Sequence, residues 1–162
     1  MVDFYYTDDD GRLAESYERR APSRLCASSE EIRVATLGEL ALARFFGEST
    51  HAYVRAKLAR LEPTNDDFRF DVLTPAGLKI DVKVIMPKTL EKCHGNLLVR
   101  NLHHDVTYVV LDWDEPRRCF NFAGWSPGFS GGFSPARPPR SGFFQARSCL
   151  LDFASLAKLA CV

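Results

Sequence analysis

Two carboxylates and a lysine lie close to one short turn, and the two carboxylates have the types and spacing needed to hold a divalent cation. Two runs of alternating polar and apolar residues flank a Pro/Gly turn at residues 74–77, and this pattern predicts a β-hairpin. In such a hairpin Asp71 lies opposite residue 80 or 81, which makes Asp71 and Asp81 cross-strand neighbours. Lys83 shares a face with Asp81, because strand side chains two residues apart point the same way.

Two carboxylates that face each other across a hairpin favour a cation between them. Like charges in this position destabilise a hairpin by up to about 1 kcal/mol. A divalent cation bound between the two carboxylates turns this destabilisation into a stabilisation. Mg²⁺ suits the pair, since it takes a few carboxylates and keeps waters. The alternative is a solvated face on which Arg69, Lys79 and Lys83 balance the acidic charges. The opposite face is predicted to enter the core and carries Phe68, Phe70, Val72, Ile80, Val82 and Val84.

A fourth charged residue, Glu39, interrupts an apolar pattern with helical spacing. The stripe of which it is part contains Ile32, Ala35, Leu42 and Phe46. An unpaired buried carboxylate is costly, so we expect a cation or a strong hydrogen-bond donor next to it. The alternative is that Glu39 lies at the edge of the stripe and reaches water.

The order of predicted elements indicates an α+β fold with a mixed sheet flanked by helices. Ser28 and Glu31 form a capping box at the start of a helix that runs to Phe46. Residues 1–29 are predicted to be an N-terminal arm, either loosely structured or accessory, with a helix near Leu13–Arg19, in front of a domain over residues 30–162. Further elements are predicted as a helix over 51–61, the hairpin, strands over 106–111, 118–125 and 143–150, a long loop over 126–142, and a closing helix over 152–161.

Composition points to a globular protein and away from a membrane protein. The 162 residues are 46% hydrophobic and 26% charged, with no apolar run of 18 residues. The N-terminus lacks the features of a signal peptide, which favours a cytoplasmic protein. The net charge is zero, but residues 1–81 hold 15 acidic and 11 basic residues, whereas residues 82–162 hold 6 and 10. A basic half is compatible with a polyanionic partner.

The cysteine and histidine pattern fits no standard zinc site. Five widely spaced cysteines without a CxxC pair are typical of reduced thiols. Cys93-His94 and His103-His104 could gather a zinc ion, but such residues in loops more often have no metal.

Three segments together resemble the PD-(D/E)XK nuclease superfamily in its small phage and bacterial form. These are Gly38–Gly47 with its helical Glu39, residues 70–73 with Asp71, and Lys79–Val84 with its Asp81-Val82-Lys83 tripeptide. The resemblance covers roughly residues 30–125, and one departure is that Phe70 rather than Pro precedes Asp71. It implies a restriction-endonuclease-like core.

The resemblance also implies Mg²⁺-dependent hydrolysis of phosphodiester bonds, with Mn²⁺ able to substitute. Asp71, Asp81 and the carbonyl oxygen of Val82 would hold the metal, and Glu39 would bind it through water or hold a second ion. Lys83 would position the attacking water or stabilise charge on the phosphate. DNA is the favoured substrate, cut by an endonuclease such as a junction resolvase. An RNA-cleaving enzyme with the same site and a non-catalytic binding module are the alternatives.

Basic residues outside the motif are expected to contact the nucleic-acid backbone. Lys88, Lys92 and Arg100 follow the hairpin, and Arg137 and Arg140 lie in the long loop. Phe129 and Phe133 in that loop could stack on unpaired bases. Because a neutral chain of this size would bind DNA modestly as a monomer, a homodimer or a partner protein is expected to help.

Overall fold

The computed structural model describes residues 1–21, 27–62, 64, 67, 69–88, 96–129, 132–135 and 142–160. The helices are α1 (Asp8–Arg20), α2 (Ser29–Phe45), α3 (Glu48–Ala59) and α4 (Phe153–Ala160), with a short 3₁₀ turn at Arg147–Cys149. The strands are β1 (Asp3–Tyr5), β2 (Val72–Leu73), β3 (Lys79–Ile85), β4 (Asn96–Val99), β5 (Thr107–Asp114), β6 (Cys119–Pro127), β7 (Ser134–Pro135) and β8 (Phe143–Ala146).

The predicted α+β class and the mixed sheet are confirmed. The main sheet has the order β1-β6-β5-β3-β2, in which β3 and β5 run parallel and the other neighbours antiparallel. A second, antiparallel sheet has the order β4-β8-β7. None of the helices among the described residues combines the length and apolar character needed to cross a bilayer.

The helices pack on one face of the main sheet. The inward side of α2 contributes Leu40 and Leu42, which meet Val82 and Leu111 of the sheet in one apolar cluster. The predicted capping box begins this helix: the Ser28 amide donates to Glu31, and the Glu31 amide donates to the Ser28 hydroxyl. α2 therefore starts and lies where its sequence pattern indicates.

The described part of the N-terminal arm is not loosely structured, so the first of its two predicted forms is wrong. Strand β1 extends the main sheet, with Phe4 opposite Phe120 of β6, and Phe4 is only 1% exposed. Helix α1, which contains the helix predicted near Leu13–Arg19, buries Ala14 in the main core. A three-residue strand has too little period to identify from sequence, and it is stable here because β6 supplies its hydrogen-bonding partner.

The second face of the main sheet is covered by the small sheet. Tyr108 and Val110 of β5 pack with Leu97 and Val99 of β4 in a second apolar cluster. Phe70 belongs to this cluster and does not join Val72 on the helical face, which corrects its predicted position. The alternation fails there because β2 begins only at Val72, so Phe70 precedes the regular strand. Phe68 lies outside the described residues.

Candidate functional site

The hairpin places Asp71 and Asp81 next to each other, as the spacing predicts. Val72 pairs with Ile80, so Asp71 lies at the level of Asp81. The Asp71 amide donates to the Ile80 carbonyl oxygen at 2.7 Å, and Asp71 Oδ2 accepts a hydrogen bond from the Val82 amide at 2.7 Å. The Asp71 carboxylate is thus fixed against strand β3.

Asp81 and Lys83 form an ion pair on the face of β3 opposite to the one that carries the buried Ile80 and Val82. Lys83 Nζ is 2.7 Å from Asp81 Oδ1, and 15% of the Asp81 side chain and 32% of the Lys83 side chain are accessible. Burial raises the pKa of Asp81 to about 6, and the nearby Asp71 carboxylate adds to this, although Lys83 opposes it. The pKa of Lys83 is also raised, because the attraction of Asp81 and Asp71 outweighs the effect of burial. In this pair the lysine is therefore charged, and the Asp81 carboxyl group ionises at a higher pH than an ordinary aspartate.

Glu39 is paired with a buried lysine that the sequence interpretation missed. Lys57 Nζ of α3 lies 3.0 Å from Glu39 Oε2, 2.9 Å from the Asp71 carbonyl oxygen and 3.7 Å from Asp71 Oδ1. Only 5% of the Lys57 side chain is accessible. Lys57 is the cation expected next to Glu39. Its sequence signal is its place on an apolar helix face, between the buried Val54 and Leu58.

The pKa values of this buried pair reflect burial first and the neighbouring charges second. Burial, and then the Asp71 carboxylate, raise the pKa of Glu39 to about 7 despite the attraction of Lys57. Burial lowers the pKa of Lys57, but Glu39 and Asp71 outweigh it and hold the pKa well above its usual range. Lys57 is therefore a permanent cation beneath the carboxylates.

Gly38 lets α2 approach β3 closely enough to bring Glu39 to the hairpin. A Cβ atom at this position would overlap the Val84 side chain and touch Phe120. Any larger residue would push the helix away from the sheet.

Two cavities open on either side of the Asp81–Lys83 pair. The first, of about 330 Å³, is here named the acidic cavity; its charged lining is Glu31, Glu39, Asp67, Asp71, Asp81 and Lys83. Tyr17 of α1 also lines it, so the N-terminal segment forms part of its wall. The second, of about 270 Å³, is named the basic cavity and is lined by Asp81, Lys83, Leu98, Arg100, Asn101 and His103. The site thus has an acidic and a basic side.

Two outer carboxylates of the acidic cavity already have structural partners. Glu31 caps α2, and Asp67 pairs with Arg60 at 2.6 Å. Asp71 and Asp81 are the carboxylates of this cavity that the hairpin holds side by side.

The other predicted contact residues fall in different places. Arg100 lines the basic cavity, whereas Lys88 is exposed and lines neither cavity. Phe129 is 78% exposed and able to stack, but the ring of Phe133 packs edge-on against Tyr108, with the centroids 5.7 Å apart. Phe133 is therefore placed for core packing. Lys92, Arg137 and Arg140 lie outside the described residues.

The described residues contain no preformed cluster of metal ligands. No group of three or more His, Cys, Asp or Glu side chains in this part of the chain is arranged to hold a metal ion. His104 Nδ1 lies 3.2 Å from the Gly128 carbonyl oxygen, and His103 lines the basic cavity. Cys93 and His94 lie outside the described residues. Asp71 and Asp81 remain as a carboxylate pair with a shared cavity.

No protein-family model, curated protein or solved structure matches this chain.

Proposed function

We propose that the protein is a metal-dependent nuclease with a restriction-endonuclease-like core that hydrolyses phosphodiester bonds of DNA. The observation that carries the proposal is the convergence of Asp71, Asp81 and Lys83 at one hairpin, on the wall of one cavity. Glu39 reaches the same cavity from α2. These four residues are the ones whose types and spacing resemble the superfamily motif.

The donor types fit a small hard cation. Mg²⁺ is commonly held by one or two carboxylates, with substrate phosphate and water completing its shell. Asp71 and Asp81 would supply the carboxylates, and the carbonyl oxygen of Val82, the residue after Asp81, would complete the protein ligands. When bound, Mg²⁺ or Mn²⁺ polarises a phosphate oxygen and lowers the pKa of a bound water. Glu39, which is tied to Lys57, fits an indirect role better than that of a direct ligand.

The chain's own residues prepare the site for an anionic transition state. Lys83 is held by Asp81 at the border of both cavities, where its ammonium group can stabilise charge that develops on a phosphate. The buried Lys57 keeps Glu39 and Asp71 in fixed positions through its contacts with both carboxylates. The hydrogen bond from the Val82 amide prevents the Asp71 carboxylate from rotating away. Such fixed charges need little reorganisation during the reaction.

A cleavage panel with matched lysine variants tests this proposal. Duplex, branched and single-stranded DNA, together with RNA of the same sequences, would be incubated with the protein and Mg²⁺ or Mn²⁺. Lys83→Gln and Asp81→Asn are expected to lower the rate at least roughly 100-fold. Lys79→Gln is the control, because Lys79 lies on the same strand but pairs with the exposed Asp105.

Three outcomes would contradict the proposal. The first is that the parent protein cleaves none of the substrates with either metal. The second is that Lys83→Gln and Asp81→Asn cleave as fast as Lys79→Gln. The third is preferential cleavage of RNA. In that case the proposed catalytic residues would stand, but DNA would be wrong as the substrate.

A further inference from the structure

The basic cavity has no part in the proposed cleavage step, yet it shares a wall with the acidic cavity. Asp81 and Lys83 line both cavities, so the two spaces meet at this ion pair. With Arg100 and Lys83 against Asp81, the formal charge of the basic lining is positive. Its character is therefore opposite to that of the acidic cavity, which has five carboxylates and one lysine.

The polar side chains of the basic cavity are available to a ligand. Among the described residues, no ion pair or hydrogen bond engages the side chains of Arg100, Asn101 or His103. The adjacent His104 differs, because its ring meets the Gly128 carbonyl oxygen. Three residues whose side chains have donor capacity thus line a space of about 270 Å³ together with Lys83.

The backbone that carries these side chains is held in place. Tyr108 is fully buried, and its hydroxyl accepts from the His103 amide at 2.8 Å and donates to the Asn101 carbonyl oxygen at 3.4 Å. Gly142 passes directly beneath Arg100: a Cβ there would lie 2.6 Å from the Val99 carbonyl oxygen and 2.9 Å from the Arg100 Cα. A binding surface fixed in this way loses little entropy when it captures a ligand.

We propose that the basic cavity binds a backbone phosphate of the nucleic-acid strand, next to the phosphate that is cleaved. The inference rests on the proposed function, and it adds a second phosphate subsite built by Arg100, Asn101 and His103. The planar guanidinium of Arg100 can bind a phosphate in a bidentate manner, and the other two side chains supply single donors. A strand that crosses Lys83 then has one phosphate in each cavity.

Binding without metal tests this subsite separately from cleavage. The probe is a short single-stranded DNA oligonucleotide, titrated at several salt concentrations in the presence of a chelator. Arg100→Gln is expected to weaken binding roughly tenfold. The slope of log K against log salt should fall by about 0.7, the value for one phosphate contact on a single strand. Arg100→Lys should keep the slope, since it keeps the charge.

Arg12→Gln is the matched control. Arg12 is an exposed arginine of α1 that pairs with Asp9 and lines neither cavity. This variant should bind like the parent. If Arg100→Gln matches Arg12→Gln in affinity and in slope, the subsite is wrong. Orthophosphate is the second probe: if the parent binds orthophosphate, Arg100→Gln does not, and neither protein binds the oligonucleotide, the cavity belongs to a free phosphate and the strand subsite is overturned.

Cleavage assays on the same variants separate the two proposals. If Arg100→Gln weakens metal-free binding but no substrate is cleaved with any metal, the nuclease proposal fails and the phosphate subsite stands. If the parent cleaves and Arg100→Gln leaves KM unchanged, the subsite fails and the nuclease proposal stands.

Discussion

At the residue scale, the acidic cavity depends on one buried ammonium group. Lys57 donates hydrogen bonds to the Glu39 carboxylate and to the Asp71 carbonyl oxygen, and it forms an ion pair with the Asp71 side chain at 3.7 Å. With 5% of its side chain accessible, it has almost no water to replace a lost partner. The pair links α3 to α2 and to the residue that precedes β2.

Removing Lys57 should therefore destabilise the protein strongly. Lys57→Met leaves the Glu39 carboxylate buried without a counter-charge, and we expect a loss of about 3–5 kcal/mol in the free energy of unfolding. Glu39→Gln combined with Lys57→Met removes both charges and should recover most of that loss. Urea unfolding of the two variants and the parent measures both effects. If Lys57→Met alone were as stable as the parent, the Glu39–Lys57 pair would not stabilise the fold around the site.

At the scale of elements, one buried carboxylate joins the first three helices. Asp10 of α1 is fully buried, and its carboxylate forms an ion pair with Arg44 of α2 at 2.8 Å. Two residues of α3 also contact it, His51 at 2.8 Å and Arg55 at 3.2 Å. Its carboxylate also accepts from the Thr7 amide. Burial alone would raise the pKa of Asp10, but Thr7, Arg44 and His51 outweigh it and lower the pKa to about 2.

The stability contributed by Asp10 should vanish in acid. Because the folded pKa lies below the ordinary value of 3.8, the contribution is complete above about pH 4 and is lost as the pH falls towards 2. We expect about 1–2 kcal/mol, reduced from the full linkage value because water screens the partly exposed Arg44 and Arg55. Asp10→Asn should lose this amount at pH 6.

The difference between parent and Asp10→Asn should shrink at pH 2.5, and chemical unfolding at both pH values measures it. Asp9→Asn is the control, because Asp9 is exposed and pairs only with Arg12 among the described residues. A difference that is the same at both pH values would mean that the stabilising interaction does not require an ionised Asp10.

At the scale of the whole molecule, the site concentrates like charges that a divalent cation would relieve. Asp71 raises the pKa values of both Glu39 and Asp81, so the three carboxylates repel one another across the acidic cavity. A cation that binds only the folded chain stabilises it by mass action, by about 2.7 kcal/mol at 100 times its Kd.

Mg²⁺ and Mn²⁺ should therefore raise the melting temperature of the parent protein in a concentration-dependent way. Asp81→Asn should abolish this rise because it removes one carboxylate of the proposed pair. Asp105→Asn should preserve it, since Asp105 is an exposed partner of Arg69 and Lys79 away from both cavities. If neither cation changed the melting temperature of the parent, the metal-dependent proposal would be contradicted. Equal rises in the parent, Asp81→Asn and Asp105→Asn would mean that the metal binds elsewhere.

Local sequence patterns predicted much of the fold and the heart of the site. The capping box of α2, the period-two runs and the Pro/Gly turn act between residues close in the chain, so they indicate helix, hairpin and register without knowledge of the partners. The turn predicted that Asp71 lies opposite residue 80 or 81, and the register of the structure places it at the level of Asp81. What could not be predicted is β1, whose pairing partner lies more than 110 residues away in β6.

The sequence by itself determined the elements and the hairpin chemistry, because both depend on short-range geometry. Only the tertiary structure decided that Lys57 lies beneath Glu39 and Asp71, since three separate elements must pack to bring them together. It also decided that Arg100, Asn101 and His103 line one cavity with Lys83, because the buried Tyr108 hydroxyl anchors the backbone of Asn101 and His103. Long-range packing sets the charge around each site, and no local pattern encodes it.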